Sequence, residues 1–209
     1  MPGKKGDFLS QAYGLDGLDD AMAFYDAWAD DYDAEMEERL NYVAPRQCAE
    51  HFAQYVDDRT AAVLDLGCGT GLTALYLKQL GFETFDGIDI TPAMIERSRA
   101  RGIYRSLIEA DLTKPLAISD ATYDAAISSG TFTRGHVGAE PIGEIFRVLK
   151  PGAVFACTIH RDIWEPKGFA AAFSALRDAG AAETLDVRQG HFFSHLEPAA
   201  LYCVFRKLA

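Results

Sequence analysis

Three glycines at alternate positions follow a short apolar segment and mark the place where this chain is best suited to bind a ligand. They are Gly67, Gly69 and Gly71, and Asp65 stands just before them. Glycine lets the backbone turn sharply and approach a bound molecule closely. A tight turn that needs only small residues would show the same three glycines. The neighbouring residues therefore have to distinguish a ligand-binding loop from such a turn.

The spacing of the loop separates it from a dinucleotide-binding turn. A dinucleotide fingerprint would need its third glycine at position 72, which is occupied by Leu72. The Asp65 carboxylate attracts an ammonium group, directly or through water, and repels a pyrophosphate. The loop, with Cys68 between its first two glycines, therefore predicts a ligand that carries an amino group and no diphosphate.

A second acidic residue, Asp89, ends the next apolar segment, eighteen residues beyond Gly71. A carboxylate in that place can accept hydrogen bonds from both hydroxyls of a ribose. The alternative, a helix N-cap, is weaker because Thr91 and Pro92 already begin the following helix.

A third acidic residue, Asp111, follows the third apolar segment. Alone it would most often be a turn or cap residue, but beside the other two it can accept from the amino group of an adenine. Ile90 and Leu112 can then lie against the faces of the ring. Together the three segment ends describe a pocket for adenosine joined to an amino acid.

The elements that must position these residues alternate along the chain after residue 60. The predicted strands cover 61–66, 84–88, 103–109, 123–128, 153–159, 183–189 and 200–207. The predicted helices cover 18–40, 45–56, 72–80, 92–101, 140–149 and 169–179, with 150–152 ending the fifth. This alternation predicts an α/β fold of the Rossmann-like kind, a mostly parallel sheet with helices on both faces. The last two strands have no helix between them, which indicates an antiparallel strand.

The first predicted helix carries an aromatic stripe. Tyr25, Trp28, Tyr32 and Met36 are spaced 3, 4 and 4 residues apart and share one helical face. The stripe either packs on the sheet or folds over the ligand as an N-terminal helical lid; we expect the lid role for Tyr25 and Tyr32 and core packing for Trp28.

The chain is thereby predicted to form one structural domain with two parts. Residues 1–60 form an arm and lid, with an irregular stretch at 8–18, and residues 61–209 form the core.

Composition limits the partners. The net charge of −11 repels phosphate backbones and anionic lipid headgroups, so neither nucleic acid nor membrane is an expected partner. The first seven residues lack the apolar stretch of a signal peptide, no apolar run reaches the length of a membrane span, and the four cysteines are widely spaced. We expect a cytoplasmic protein with reduced, buried cysteines; the oligomeric state is open, with a monomer favoured.

The motifs taken together resemble a known class. The segment 65–71, Asp89, Asp111 and the segment 148–152 are similar to the motif series of class I S-adenosylmethionine-dependent methyltransferases, over a stretch from about residue 25 to the end. The resemblance implies a seven-stranded sheet whose last inserted strand is antiparallel, S-adenosylmethionine as methyl donor and S-adenosylhomocysteine as product. Segments 24–33 and 128–138 resemble, more narrowly, the Williams–Beuren-region methyltransferase-like proteins, which indicates the cofactor but not the acceptor.

In that class the fourth strand presents the residues nearest the methyl group, here from Ser128 at the cofactor to Thr131 on the acceptor side. His136 is the candidate general base, because imidazole titrates near neutral pH, although a loop histidine bonded to backbone is an equal alternative. Arg134 is expected either to hold an acceptor carboxylate or to pair with a surface acid. His160, after the fifth strand, is a further candidate for the acceptor side.

The function these residues favour is methyl transfer to a small molecule, since the compact chain has no basic patch for a polymer. The alternatives are a protein methyltransferase and a non-catalytic protein that binds S-adenosylmethionine. No metal is expected, because His191 and His195, four residues apart, lie in a predicted loop and not on a helix.

Overall fold

The computed structural model describes residues 18–28, 32–33, 35–36 and 40–209. The predicted arm at 8–17 and parts of the predicted helix 18–40 lie outside these residues.

Seven strands form one sheet within the described part of the chain. They are β1 (Ala62–Leu66), β2 (Thr84–Asp89), β3 (Ser106–Glu109), β4 (Tyr123–Phe132), β5 (Leu149–His160), β6 (Ala182–Gly190) and β7 (Ala200–Lys207). Their order across the sheet is β3-β2-β1-β4-β5-β7-β6. The first five strands pair in parallel, and β7 runs antiparallel to both of its neighbours. The predicted seven-stranded sheet with one antiparallel strand is thereby confirmed.

Helices cover the sheet where the sequence pattern places them. They are α1 (Leu18–Trp28), α2 (Ala44–Phe52), α3 (Leu72–Gln79), α4 (Pro92–Arg101), α5 (Ile142–Val148) and α6 (Phe169–Asp178). Pro92 opens α4, and Gly102, with a φ of 63°, closes it in the left-handed conformation that glycine adopts without strain.

The core lies on both faces of the sheet. One cluster joins α2 and α3 to the sheet through Cys48, Phe52 and Leu77, and the other joins α5 and α6 through Phe146 and Phe169. The central strands β1, β4 and β5 are mostly buried because both of their faces are covered.

The order of the strands determines where a ligand can bind. The chain passes from β1 outward to β2 and β3, and then returns to the other side of β1 as β4. Two neighbouring strands whose connections leave in opposite directions open a crevice at their carboxyl ends, which is where ligands bind in open α/β sheets.

Some boundaries differ from the sequence prediction. β4 runs four residues further than expected, to Phe132, past a register shift in its pairing with β5. The segment 150–152, expected as the end of a helix, lies inside β5, which pairs from Leu149 onward. Gly152, at a φ of 83°, allows the register of pairing with β4 to shift between Leu149 and Val154. β5 therefore begins at Leu149, before the predicted start at residue 153.

All four cysteines are buried free thiols, as the sequence predicts. In the described residues no helix is both long and apolar enough to cross a membrane.

Candidate cofactor and acceptor site

A cavity of about 790 Å³, including its open mouth, lies at the carboxyl ends of β1 to β4 and under α1. Most of the residues named from the sequence meet here. The predicted residues that line it are Tyr25, Tyr32, Gly67, Gly69, Asp89, Ile90, Asp111, Leu112, Thr131 and His136. Residues that the sequence did not single out also contribute, among them Met22, Met94, Ser129 and Val137.

The glycine loop joins β1 to α3 and forms the floor of the cavity. Gly67 has a φ of 65°, and a Cβ there would lie 2.2 Å from Thr131 Oγ1, so only glycine fits beneath that side chain. Gly69 has a φ of 52°, and a Cβ there would meet nothing within 4 Å. The loop therefore presents bare backbone to the cavity at Gly69, where a ligand can come closer than any side chain would allow.

Asp65 lies beneath this loop, 1% exposed. Its Oδ2 accepts a hydrogen bond of 2.7 Å from the Tyr104 hydroxyl, and its Oδ1 is buried with no hydrogen-bond partner among the described residues. Burial raises the pKa of Asp65 to about 7, against the lowering effect of the Tyr104 hydroxyl. A cationic group brought to this oxygen would satisfy it and favour the ionised carboxylate. Tyr104 lies 39 residues away in a connection without any motif, so no local signal reveals it.

Asp89 ends β2 at the cavity wall. Its Oδ2 accepts from the Gly69 amide at 2.8 Å, and its Oδ1 accepts from the Thr91 amide at 2.9 Å. Burial raises the pKa of Asp89, and the two amides oppose that rise. The Thr91 hydroxyl and the Ile90 amide also bond this carboxylate, so it is fixed in place at the cavity wall.

Asp111 follows β3 on the same wall. One of its oxygens closes a turn by accepting from the Thr113 amide at 2.8 Å and the Thr113 hydroxyl at 2.7 Å. The turn role and the ligand role considered for this residue are compatible, because Asp111 also lines the cavity. Ile90 and Leu112 line it too, in the places suited to the two faces of a flat ring.

Three hydroxyl side chains near the end of β4 are used differently. Ser128 is fully buried and donates to the Leu66 carbonyl at 2.8 Å, so it does not reach the cavity. Thr131 lines the cavity but also donates to the Leu66 carbonyl, at 3.1 Å. The Ser129 hydroxyl is buried, has no hydrogen-bond partner among the described residues, and belongs to a residue that lines the cavity. Ser129 is therefore the hydroxyl of the three that is available to a ligand.

His136 lies in the loop after β4, on the cavity wall. Its Nδ1 is 2.8 Å from the Arg134 carbonyl oxygen, and its Nε2 is 3.1 Å from the Tyr25 hydroxyl of α1. Burial lowers the pKa of His136, and the positive charge of Lys167 lowers it further, while the bond to the Arg134 carbonyl raises it. His136 therefore combines the backbone-bonded role and the site role considered for it. Its Nδ1 bonds the Arg134 carbonyl, and its Nε2 faces Tyr25 of α1 at the cavity.

Asp65 lies outside the cavity lining, and so do three more of the predicted residues. Arg134 is exposed and pairs with Asp162 at the surface. His160 is 5% exposed and stacks on Phe192 at a ring distance of 5.8 Å. Cys68 is buried behind the glycine loop, where burial raises the pKa of its thiol, and its sulfur lies 3.9 Å from Ser98 Oγ.

The residues that line the cavity, together with Asp65 outside the lining, fit S-adenosylmethionine. The Asp65 oxygen that has no partner among the described residues suits an ammonium, Asp89 suits a ribose diol, and the open side of Gly69 leaves room for a chain between them. The described residues contain no group of three or more His, Cys, Asp or Glu placed to hold a metal ion.

Comparison with known proteins agrees with this geometry. Residues 64–157 match the family model described as a methyltransferase domain. A crystal structure of an S-adenosyl-L-methionine-dependent methyltransferase from Methanococcus maripaludis superposes with a TM-score of 0.66 over 88% of this chain and 94% of that one, at 14% identity, and so shares the fold. The chain thus contains a methyltransferase domain and has the fold of S-adenosylmethionine-dependent methyltransferases, in agreement with the class and the cofactor that the sequence predicts.

Two curated relatives are similar in sequence to parts of this chain. The human protein named Methyltransferase-like protein 27 is 36% identical over 150 residues, which are 70% of this chain and 60% of that protein. The ribosomal protein L11 methyltransferase of Cupriavidus pinatubonensis is 42% identical over 67 residues, which are 32% of this chain and 22% of that protein. This chain thus matches less than two thirds of the length of either relative.

Proposed function

We propose that this protein transfers the methyl group of S-adenosylmethionine to a small-molecule acceptor in the cytoplasm. The observation that carries the proposal is one cavity that is bounded by the bare backbone of Gly69 and by Asp89 at one end and reaches His136 and Tyr25 at the other.

Each residue of the cavity has a role in this proposal. Asp65 receives the ammonium group of the donor and Asp89 its ribose hydroxyls. Asp111 accepts from the adenine amino group, with Ile90 and Leu112 against the ring faces. When bound, the donor supplies a methyl group already activated by its sulfonium charge, so the protein has to align, exclude water and take up a proton.

The acceptor end of the cavity is formed by other side chains. Ser129 and Thr131 position the acceptor, and His136 takes up the proton that it loses. Tyr25 and Tyr32 close over the reacting groups from α1, where an aromatic face also attracts a sulfonium cation. Residues 1–60 act as arm and lid, and 61–209 as the catalytic core. Arg134 and His160 are not assigned a role, because both are engaged outside the cavity.

Two experiments test the proposal in sequence. Calorimetry with S-adenosylhomocysteine and with NAD should show binding of the first and no appreciable binding of the second, because the Asp65 carboxylate repels a pyrophosphate. A cell extract depleted of proteins and polymers is then incubated with the protein and donor labelled in the methyl group, and label should appear in a small molecule. Tighter binding of NAD than of S-adenosylhomocysteine would overturn the whole assignment.

A protein acceptor is the second candidate, favoured by the ribosomal-protein methyltransferase among the relatives. The same labelling with the protein fraction of the extract separates the two, because label would then be retained on a filter that passes small molecules. A protein that binds S-adenosylhomocysteine and labels neither fraction would be a cofactor-binding protein without catalysis.

A further inference from the structure

One hydrogen bond connects the first helix to the loop after β4 directly at the cavity. The Tyr25 hydroxyl and His136 Nε2 are 3.1 Å apart, although the residues are 111 positions apart in the chain. The two rings lie 5.5 Å apart between centroids, and both side chains line the cavity.

The partners of the other ring nitrogen determine the direction of this bond. His136 Nδ1 is 2.8 Å from the Arg134 carbonyl oxygen, which can only accept, so Nδ1 carries the hydrogen. The Thr133 hydroxyl, 2.9 Å from the same nitrogen, can also accept and can turn its own hydrogen to the Gly130 carbonyl. In a neutral ring Nε2 is then a bare acceptor, and the Tyr25 hydroxyl is the donor.

The surroundings of the ring keep it in this neutral form. His136 is mostly buried, and Lys167 brings a positive charge close to it, because its Nζ donates to the His136 carbonyl at 2.6 Å. Arg134, beside it in the loop, is neutralised by Asp162. Burial and the Lys167 charge both disfavour the imidazolium, so Nε2 is available to receive a proton at physiological pH.

We propose that Tyr25 and His136 act as a single proton-accepting dyad in which Tyr25 touches the acceptor. The acceptor's proton passes to the Tyr25 oxygen while the Tyr25 proton passes to His136 Nε2. At the same time the acceptor atom forms its bond to the methyl carbon, and the electron pair of the breaking carbon–sulfur bond stays on sulfur. The imidazolium returns its proton to water after the product leaves.

The dyad rests on the proposed function and also narrows its substrate class. A base that takes up the proton during the attack is needed where the attacking atom is the oxygen of a hydroxyl. A carboxylate, a thiolate or a neutral amine attacks without one. The dyad therefore predicts an alcohol or a phenol as the acceptor.

A spectroscopic test needs no acceptor. Long-range proton–nitrogen NMR of the full chain at pH 7.5 should show His136 neutral with hydrogen on Nδ1, the tautomer that a free histidine does not prefer; the exposed His195 serves as an internal reference.

In Tyr25→Phe the pKa of His136 should rise by about half a unit to one unit, because Nε2 loses its donor. Tyr55→Phe, which removes a phenol outside the cavity lining, should leave the pKa of His136 unchanged. Hydrogen on Nε2 in the wild type, or no pKa change in Tyr25→Phe, would overturn the dyad.

A kinetic test follows with the acceptor found by labelling. Tyr25→Phe should lower kcat by about a hundredfold or more and should remove the part of the pH dependence of kcat that follows the protonation of His136. Its affinity for S-adenosylhomocysteine should stay within about threefold of the wild type. A merely structural contact would instead weaken the binding of S-adenosylhomocysteine and leave the pH profile of kcat in place. Failure of the wild type to bind S-adenosylhomocysteine would reject the proposed function, whereas retained binding without the kcat effect would reject the dyad alone.

Discussion

At the scale of single residues, adjacent side chains of the same type have different partners. Ser128 and Ser129 are neighbours on β4, yet the first donates to the Leu66 carbonyl, and the second has a hydroxyl beside the cavity with no partner in the described part of the chain. Side chains alternate between the faces of a strand, so consecutive serines cannot serve the same purpose. The left-handed Gly130 that follows, with a φ of 84°, turns the chain toward the cavity.

The bare backbone at Gly69 leads to a mutational prediction with a matched control. Gly69 and Gly180 both have positive φ, 52° and 67°, and a Cβ at either would meet nothing within 4 Å. Alanine should cost each about 1–2 kcal/mol of stability for the left-handed backbone. Gly69→Ala should also weaken S-adenosylhomocysteine binding by about tenfold or more, because its methyl group enters the cavity. Calorimetry and thermal unfolding of both variants measure this, and equal affinities would show that the ligand does not approach the loop.

Asp65 predicts a pH dependence of binding and of stability. Burial raises its pKa to about 7, above the value of about 4 in an unfolded chain, so the unliganded protein should lose stability as the pH rises from about 4 through 7. Cofactor binding should change in the opposite sense, because an ammonium group favours the ionised carboxylate. Affinity for S-adenosylhomocysteine should therefore be about tenfold weaker at pH 6 than at pH 8.

Calorimetry in two buffers of different ionisation enthalpy checks the Asp65 prediction. The wild type should release a proton on binding near pH 6.5, and Asp65→Asn should bind weakly with no proton release. Proton release that persists in Asp65→Asn would assign the titration to another group, with Asp89 as the first to examine since burial raises its pKa as well.

At the scale of elements, the segment after α1 is tied to the glycine loop by the end of α4. Arg101 pairs with Asp33 and donates through Nε to the Thr70 carbonyl, and the Thr70 hydroxyl donates to Asp33. These three residues connect the proposed lid to the loop beneath the cofactor. Ordering of the loop by a ligand should therefore also order the lid.

Hydrogen exchange tests this connection. The amides of residues 21–28 should exchange more slowly with S-adenosylhomocysteine than without it, and Arg101→Gln should reduce that protection. Arg99→Gln is the control, because Arg99 lies on the same helix and its ion pair among the described residues is with Glu96 at the surface. Protection that is high without ligand and unchanged by it would make the aromatic stripe of α1 ordinary core.

At the scale of the whole molecule, charge leads to a prediction about polymers. A net charge of −11 should prevent useful affinity for DNA or RNA at physiological salt, because phosphate binding depends on releasing counterions to cationic side chains. A gel shift at micromolar protein with duplex DNA and with structured RNA measures this. A shift that weakens as salt is raised would make a nucleic acid the acceptor to pursue.

Most of the architecture follows from local pattern. The apolar segments at β1 and β2, the proline that opens α4 and the glycine loop are readable along the chain, because strand periodicity, helix starts and positive φ depend on nearby residues. The exact end of β4 and the early start of β5 were not predicted, because both depend on pairing between strands. Of the site, the sequence indicated the residues at strand ends, since parallel strands present their carboxyl ends at one edge.

The sequence by itself determined the class of fold and indicated the three acidic positions from which the cofactor site is proposed, because each is tied to a motif of fixed local spacing. Only the tertiary structure decided that Tyr104 bonds Asp65, that Arg134 and His160 are engaged elsewhere, and that Tyr25 meets His136. The physical reason is that a side chain's hydrogen-bond partner is selected by packing between elements distant in sequence, and no local spacing encodes it.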